Sequence, residues 1–284
     1  MAMDEVGLGK AIQLARQAKG FTQQQLCERA NLSYSTLAKI ERGAIKSPSI
    51  FTIQSIADTL GLELSELMGN VTSSGSRSQK RTSLSGIRFV YFDVNGCLVR
   101  YFERSFTKIA HKFSVSSEIV EDIFWKYNDA ICRGDMNLED FNGILSKAVG
   151  GDINYADFYL ESVEQVPESE QLLLNVSKHY SVGIISNIMP GLMNRLIKKG
   201  LIPDISYSSI VDSSVFGLLK PEKEIFNIAE DQANVKPDEI LLIDDTNSNL
   251  MAVTQLGWHV IRFNDGDPAD SIERIKTALQ LDMI

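Results

Sequence analysis

The sequence is poor in the residues that cross-link small secreted domains or bind metals through soft ligands, with three cysteines and three histidines among 284 residues. Cys27, Cys97 and Cys132 are widely separated, which argues against a disulfide framework and against a structural zinc site. No apolar run approaches the roughly 18 residues of a membrane-spanning helix. The first residues also lack the layout of a secretory signal peptide. These absences predict a cytoplasmic protein that does not enter a membrane.

Charge is distributed unevenly along the chain, whose net charge is −9. Residues 1–50 hold seven Lys/Arg against four Asp/Glu, and residues 71–86 hold three basic residues and no acid. Residues 87–284, in contrast, hold 18 basic and 30 acidic residues. This asymmetry indicates two parts with different functions, of which only the first has the charge to approach nucleic-acid phosphates. The length also suits two domains.

The hydrophobic pattern divides the chain into three parts. Residues 1–70 have apolar residues at helical spacing, which predicts an all-α domain of four or five short helices. Residues 71–86 are rich in Ser and Gly and predict a flexible linker. In residues 87–284, strand-like runs alternate with helical stretches, as in an α/β domain with a Rossmann-like parallel sheet. Residues 101–165 show only helical patterns and predict an insertion whose core includes Phe124, Trp125 and Tyr127.

Two consecutive helical segments separated by a tight turn stand out in the all-α part. Thr22 and Gln25 fit a capping box, so a helix is expected to begin there. Asn31 tolerates a left-handed backbone and predicts a turn, followed by a second helix over about 33–42. The outward side chains of this second helix offer hydroxyls and an amine, which suit base edges and phosphates in the major groove. They are Ser33, Tyr34, Ser35, Thr36 and Lys39.

The stretch TQQQLCERANLSYSTLAKIERG, residues 22–43, resembles the helix-turn-helix of the lambda-repressor-like (XRE) family. The resemblance spans about residues 6–68 and departs from the usual pattern at Cys27 and Asn31. It implies binding of double-stranded DNA, with a homodimer on an inverted repeat as the usual arrangement. The residues that it assigns to DNA contact are Gln23, Ser33, Tyr34, Ser35, Thr36 and Lys39. The alternative is a helical bundle used only for protein contacts.

Arg16 also belongs to the XRE resemblance, but a different role is expected for it. We expect Arg16 to be an internal partner of Glu41 and not a DNA contact.

Strands are predicted in the α/β part at residues 88–92, 181–186, 240–243 and 258–263. Chemically active side chains follow three of the strands and one loop, in the segments FDVNGCL (92–98), IISN (184–187), GLLKP (217–221) and LIDDTN (242–247). Because the carboxyl ends of parallel strands share one edge of the sheet, we expect these segments to meet.

The expected site would combine three carboxylates, a hydroxyl and an amine. Asp93, Asp244 and Asp245 would repel one another unless a cation lay between them, and oxygen ligands favour Mg²⁺. The hydroxyl of Ser186 and the amine of Lys220 suit a phosphoryl group. The sequence therefore predicts a magnesium site that accepts a phosphorylated small molecule.

The four segments resemble, in order and spacing, the motifs of haloacid dehalogenase (HAD) superfamily hydrolases, and the helical insertion resembles their small cap. The resemblance implies that Asp93 is a nucleophile that forms an aspartyl-phosphate. It places Ser186, Asn187 and Lys220 on the phosphoryl group. It assigns Mg²⁺ to Asp93, Asp244, Asp245 and the backbone carbonyl of Asn95.

Asn95 departs from the phosphatase pattern, which has Asp two residues after the nucleophile as general acid and base. An amide cannot act as an acid or a base near pH 7, and general acid–base catalysis contributes about 10²–10⁴ in rate, so slow turnover is expected.

The leading interpretation is a DNA-binding transcription regulator whose HAD-like domain is a sensor or assembly module. An active Mg²⁺-dependent phosphatase tethered to a DNA-binding domain and a purely structural HAD domain are the alternatives. A dehalogenase fits less well, because the Asp244–Asp245 pair indicates a metal.

Overall fold

The computed structural model describes residues 5–45, 48–62 and 80–281. The chain forms two compact units, Met1–Arg77 and Ser78–Ile284. Within the described ranges, no helix is long and apolar enough to cross a membrane.

The first unit is a bundle of four described helices: α1 (Glu5–Ala18), α2 (Gln23–Ala30), α3 (Tyr34–Glu41) and α4 (Ile50–Leu60). One apolar face of each helix contributes to a common core, whose fully buried members include Ile12, Leu26, Leu37 and Ile56. Helices α1 and α3 approach closely at Gly9, where a Cβ would lie 2.2 Å from the carbonyl oxygen of Ile40. A fifth helix would fall outside the described residues.

The caps of these helices follow the sequence-based expectations. The side chain of Thr22 accepts a hydrogen bond from the Gln25 amide, and the Gln25 side chain accepts one from the Thr22 amide, so the capping box is confirmed. Asn31 has φ 52° and ends α2 in the left-handed conformation. Ser33 then caps α3. The helix-turn-helix geometry is therefore fixed by local hydrogen bonds.

The second unit is built on a five-stranded parallel sheet in the order β5-β4-β1-β6-β7. Its strands are β1 (Phe89–Phe92), β4 (Ser181–Ser186), β5 (Ser209–Asp212), β6 (Ile240–Asp244) and β7 (His259–Arg262). A separate antiparallel pair joins β2 (Val99–Arg100) to β3 (Glu164–Gln165). The strand β5 was absent from the sequence-based prediction, because four residues among serines give too short a pattern.

Helices surround the sheet and form the insertion. The insertion lies between β2 and β3 and contains α5 (Arg104–Phe113), α6 (Ser117–Arg133), α7 (Leu138–Val149) and α8 (Tyr155–Ser162). The remaining helices are α9 (Ser169–His179), α10 (Leu192–Lys198), α11 (Ser213–Phe216), α12 (Lys223–Ala233), α13 (Asn247–Gln255) and α14 (Pro268–Leu279). Each face of the sheet is covered by its own apolar cluster. Alternate residues of β1 belong to different clusters: Val90 and Phe92 to one, and Phe89 and Tyr91 to the other.

Part of the expected linker belongs to the second unit. Lys80 donates a hydrogen bond to the carbonyl of Ser177, and the amide of Arg81 donates one to His179. Ser83 is buried, and its hydroxyl accepts a hydrogen bond from the amide of Ile87. Residues 80–84 therefore form hydrogen bonds with the α/β unit, whereas residues 71–79 lie outside the described residues.

Candidate functional site

The carboxyl edge of the sheet brings together three acidic side chains. Asp93 follows β1 and Asp244 ends β6, and these strands pair directly, with Phe92 opposite Ile243. Carboxylate oxygens of Asp93, Asp244 and Asp245 all lie within 4.8 Å of one another. Asp93 and Asp244 are buried and Asp245 is half-buried. The expected cluster of carboxylates therefore forms, in a place where charge is poorly solvated.

Lys220 is the cation of this cluster. Its Nζ lies 2.6 Å from Oδ2 of Asp244 and 2.9 Å from Oδ1 of Asp93. Burial would lower the pKa of Lys220, but the carboxylates of Asp244 and Asp93 together raise it, so the amine stays charged. Burial raises the pKa of Asp93 to about 7, a shift that the charge of Lys220 opposes. One ammonium faces three carboxylates, which leaves an excess of negative charge that a divalent cation would neutralise.

Two buried polar atoms at the same edge lack hydrogen-bond partners among the described residues: Oδ1 of Asp93 and Oγ of Ser186. Asp93 Oδ1 has the ion pair with Lys220 at 2.9 Å, whereas Ser186 Oγ has no polar contact of this kind. Ser186 is 1% exposed. A buried polar group without a partner costs about 1–3 kcal/mol, so the hydroxyl of Ser186 marks a place where a ligand would supply the missing contact. The residues present thus fit Mg²⁺ and a phosphoryl group.

Hydrogen bonds from neighbouring side chains orient Asp244 and Lys220. Asn249 Nδ2 donates to both Asp244 oxygens at 3.0 and 3.1 Å, and the amide of Thr246 donates to Oδ1 at 2.8 Å. Asn187 Oδ1 accepts from the amide of Lys220 at 2.8 Å, and Asn187 Nδ2 donates to the Lys220 carbonyl at 2.9 Å. Asn187, which is expected on the phosphoryl group, lies on the cavity wall, and its side chain holds the backbone of Lys220. Asn249 was missed because only its burial at the start of α13 distinguishes it.

The loop after Asp93 is shaped by Gly96 and Asn95. Gly96 has φ +82°, and a Cβ there would lie 2.3 Å from Oδ2 of Asp245, so glycine is required beside the acidic cluster. Asn95 Oδ1 accepts a hydrogen bond of 2.7 Å from the hydroxyl of Tyr159 in α8. Burial raises the pKa of Tyr159, which keeps this hydroxyl protonated. The side chain of Asn95 thus lies at the site, and no pattern in the sequence identifies Tyr159 as its partner.

A cavity of about 320 Å³ opens above the acidic cluster and extends under the insertion. Phe124 and Trp125 line it together with Phe102, Tyr155 and Tyr159. Phe124 is buried in the core as expected, and Tyr127 packs against that core. The expectation is wrong for Trp125, which is 53% exposed and lies on the cavity wall. A period of 3.6 residues identifies a helix face but does not distinguish a core from a cavity lining.

The helix-turn-helix residues expected to contact DNA fall into two groups. Tyr34 is 60% exposed, and Lys39 is also exposed on α3. Ser33, in contrast, caps α3 through the amide of Thr36 at 3.1 Å. Its hydroxyl also lies 3.1 Å from Ser35 Oγ and 2.7 Å from Thr36 Oγ1. The hydroxyls are therefore tied to the start of α3, and Tyr34 and Lys39 are the extended groups of this face.

A buried ion pair underlies the first unit. Arg16 Nε donates to Glu41 Oε1 at 2.7 Å, and Arg16 NH2 donates to Oε2 at 3.1 Å, which confirms the expected internal pairing. Arg16 also donates to the carbonyl of Phe21 at 2.7 Å. Gln23, expected on DNA, donates to Glu41 Oε2 at 2.7 Å. Glu41 thus fixes the start of α2 against α1 and α3.

The geometry of the two units defines their classes: a helix-turn-helix bundle and a parallel-sheet α/β domain with a helical insertion. Residues 12–67 match the family model described as Helix-turn-helix. The second unit is similar to a HAD family enzyme from Bacteroides thetaiotaomicron that was solved in complex with magnesium and inorganic phosphate. The TM-score is 0.52 at 21% identity, over 62% of this chain and 94% of that chain. The chain therefore joins a helix-turn-helix domain to a domain with the HAD-hydrolase fold.

Two relatives of the first unit in sequence are named as a repressor and a transcriptional regulator. The chain is 42% identical over 65 residues to the immunity repressor protein of Bacillus phage phi105, over 23% of this chain and 44% of that protein. It is 40% identical over 60 residues to the HTH-type transcriptional regulator SlrR of Bacillus subtilis, over 21% of this chain and 40% of that protein. The chain thus spans less than half of the length of these curated relatives.

Proposed function

We propose that the chain is a DNA-binding transcription regulator whose HAD-like domain binds Mg²⁺ and a phosphorylated small molecule and turns it over slowly. The observation that carries the proposal is the state of the site. Asp93, Lys220 and the Asp244–Asp245 pair lie together as such a binding site would require, while Asn95 stands where the resemblance places the acid–base residue and accepts a hydrogen bond from Tyr159. A site that binds a phosphoryl group without releasing it quickly suits a sensor.

The DNA-binding half of the proposal rests on the first unit. Tyr34 and Lys39 extend from the exposed side of α3, the second helix of the helix-turn-helix, where they would reach bases and phosphates. The similarity to a phage repressor and to a transcriptional regulator supports this role. Such modules usually bind two half-sites, so we propose a homodimer on an inverted repeat.

At the second site, Asp93, Asp244, Asp245 and the carbonyl of Asn95 would hold Mg²⁺, which would neutralise phosphoryl oxygens. Ser186 would donate its unpartnered hydroxyl to a phosphoryl oxygen. Lys220 would balance the remaining negative charge and keep Asp93 in place. Asn95 offers an amide that neither donates an acid proton nor accepts one from water, which limits the release of the organic group and hydrolysis.

Ser186 provides a test that leaves the fold intact. Replacing an unpartnered buried hydroxyl by hydrogen is neutral or stabilising, so we expect Ser186→Ala to melt no lower than the wild type. Inorganic phosphate with MgCl₂ should raise the melting temperature of the wild type and raise that of Ser186→Ala much less. Ser162→Ala is the control, because Ser162 is buried outside the cavity and donates to Phe158. Equal phosphate-induced shifts in wild type and Ser186→Ala would contradict the proposed site, and no shift in either would favour a structural HAD domain.

A further inference from the structure

Away from the acidic cluster, the wall of the cavity is aromatic. Phe124 and Trp125 pack edge to face, with ring centroids 4.9 Å apart and planes at 83°. Phe102 meets Trp125 in the same way, at 6.2 Å and 74°. Phe124 is buried, whereas Trp125 remains 53% exposed. The three rings restrict one another's positions by these contacts. The indole of Trp125 keeps an exposed surface on the cavity wall.

The charges on the cavity wall are mostly negative. Among the described residues that line it, the acidic ones are Asp93, Glu103 and Asp245, and Lys220 is the lysine; no arginine lies on this wall. Lys220 is already paired with Asp93 and with Asp244. A second anionic group on a ligand would therefore have no free cation on the wall and would approach Glu103. Desolvating an unpaired charge is costly, so such ligands are disfavoured.

We infer that the natural ligand is a phosphomonoester whose organic part is aromatic and carries no negative charge. This inference rests on the proposed function, since it assumes that the phosphoryl group occupies the end of the cavity beside Asp93 and Ser186. The organic part then points toward Phe102 and Trp125. Aromatic rings at 4.5–7 Å from these side chains would gain the edge and offset contacts that such side chains prefer.

The size of the cavity limits the organic part. Its volume of about 320 Å³ lies at the lower end of the range for small-molecule pockets. After a phosphoryl group is placed, the remaining space suits a single ring or ring pair more than a dinucleotide. Phosphorylated carboxylic acids and bisphosphates carry a second anionic group, which the negative charge of the wall disfavours, so they are not preferred ligands.

Three phosphonates separate the effect of the aromatic wall from that of the charge: methylphosphonate, benzylphosphonate and phosphonoacetate. Each has a carbon–phosphorus bond in place of the ester linkage and so cannot be hydrolysed as a phosphomonoester. They would be titrated calorimetrically into the full chain in saturating MgCl₂. We expect benzylphosphonate to bind about tenfold more tightly than methylphosphonate, from burial of the ring and its aromatic contacts. Phosphonoacetate, with its extra carboxylate, should bind no more tightly than methylphosphonate.

Two variants test whether the preference for benzylphosphonate comes from Trp125 on the cavity wall. Trp125→Ala should remove most of the advantage of benzylphosphonate while leaving the affinity for methylphosphonate within about twofold. Ile119→Ala, another exposed apolar side chain on α6 but outside the cavity, should change neither affinity. If methylphosphonate binds as tightly as benzylphosphonate, or if phosphonoacetate binds most tightly, the proposed aromatic ligand is wrong. The proposed function would still stand in that case. Absence of binding by all three, and by inorganic phosphate, would overturn the proposed function itself.

Discussion

The hydroxyl of Tyr159 donates a hydrogen bond of 2.7 Å to Oδ1 of Asn95 and so joins helix α8 of the insertion to the loop that follows β1. A carboxylate at position 95 would accept the same hydrogen bond. Because a hydrogen bond to the charged form lowers the pKa of a carboxyl group, Tyr159 would reduce the fraction of such a carboxyl that is protonated near neutral pH and available as a general acid. Tyr159 should therefore influence the pH dependence of any activity that is restored by a carboxyl group at position 95.

Asn95→Asp should raise the hydrolysis of phenyl phosphate, which has a poor leaving group, by about 10²–10⁴ because it supplies the missing acid and base. Adding Tyr159→Phe should raise the pKa of the new carboxyl. The limb of the pH–rate profile on which activity falls with rising pH should then move to higher pH. Steady-state kinetics with MgCl₂ across a pH series would measure both effects.

Tyr159→Phe alone should give no increase in rate, and Asp93→Asn in the Asn95→Asp background should remove the gained activity. If the wild type already hydrolyses phenyl phosphate as fast as Asn95→Asp, the chain is an active phosphatase and the sensor proposal is wrong on that point.

Magnesium binding should depend on the acidic cluster in a graded way. Asp245→Asn should abolish the heat of Mg²⁺ binding, since it removes one of three clustered carboxylates. Asn249→Ala should weaken binding by about 10- to 100-fold, because Asn249 orients Asp244 without being a ligand itself. Isothermal titration calorimetry measures both, with the exposed Asp122→Asn as control. Equal Mg²⁺ heats in wild type and Asp245→Asn would remove Asp245 from the site.

The Arg16–Glu41 pair should dominate the stability of the helix-turn-helix unit. Arg16→Met leaves Glu41 buried without its cation, and loss of one partner of a buried pair costs about 3–5 kcal/mol. Hydrogen exchange of the amides in α1–α4 would report the loss in the full chain, with little change in the second unit. Arg42→Met, on an exposed arginine, should cost less than about 0.5 kcal/mol. Unchanged protection in Arg16→Met would show that the pair contributes little.

Much of this architecture is encoded locally. Thr22, Gln25 and Asn31 fix helix ends through contacts within a few residues, so the helix-turn-helix could be predicted from the sequence. The acidic cluster could also be predicted, because Asp93 and Asp244 follow strong apolar runs and parallel strands align their carboxyl ends.

Contacts between distant segments could not be predicted in the same way. The hydrogen bond from Tyr159 to Asn95 joins residues 64 positions apart, and no local pattern marks it. Asn187 was assigned to the phosphoryl group by resemblance, but its side chain binds the backbone of Lys220, 33 positions away. Helical periodicity predicts Trp125 as core, because it indicates which face of a helix is apolar and not whether that face meets a core or a cavity.

The exposed face of α3 should determine DNA binding. Tyr34→Ala with Lys39→Ala should abolish sequence-specific retention of fragments selected from genomic DNA, because both extended side chains of this face are lost. Lys39→Ala alone should weaken binding to all sequences and reduce the slope of log affinity against log salt by about one. Gln54→Ala is the control, because Gln54 is an exposed residue of α4. Unchanged retention by the double variant would place the DNA-reading surface elsewhere.

If the HAD-like domain is a sensor, occupancy of its site should change DNA binding by the first unit, and one titration tests this most directly. The affinity of the full chain for its selected DNA would be measured in MgCl₂ with and without saturating benzylphosphonate, or inorganic phosphate if that binds better. A ligand shifts DNA affinity only by its differential affinity for the two states, so we expect a change of about 5- to 150-fold, in either direction. Ser186→Ala should show a much smaller change at the same ligand concentration. Identical DNA affinity with and without a ligand that is shown to be bound would contradict the account.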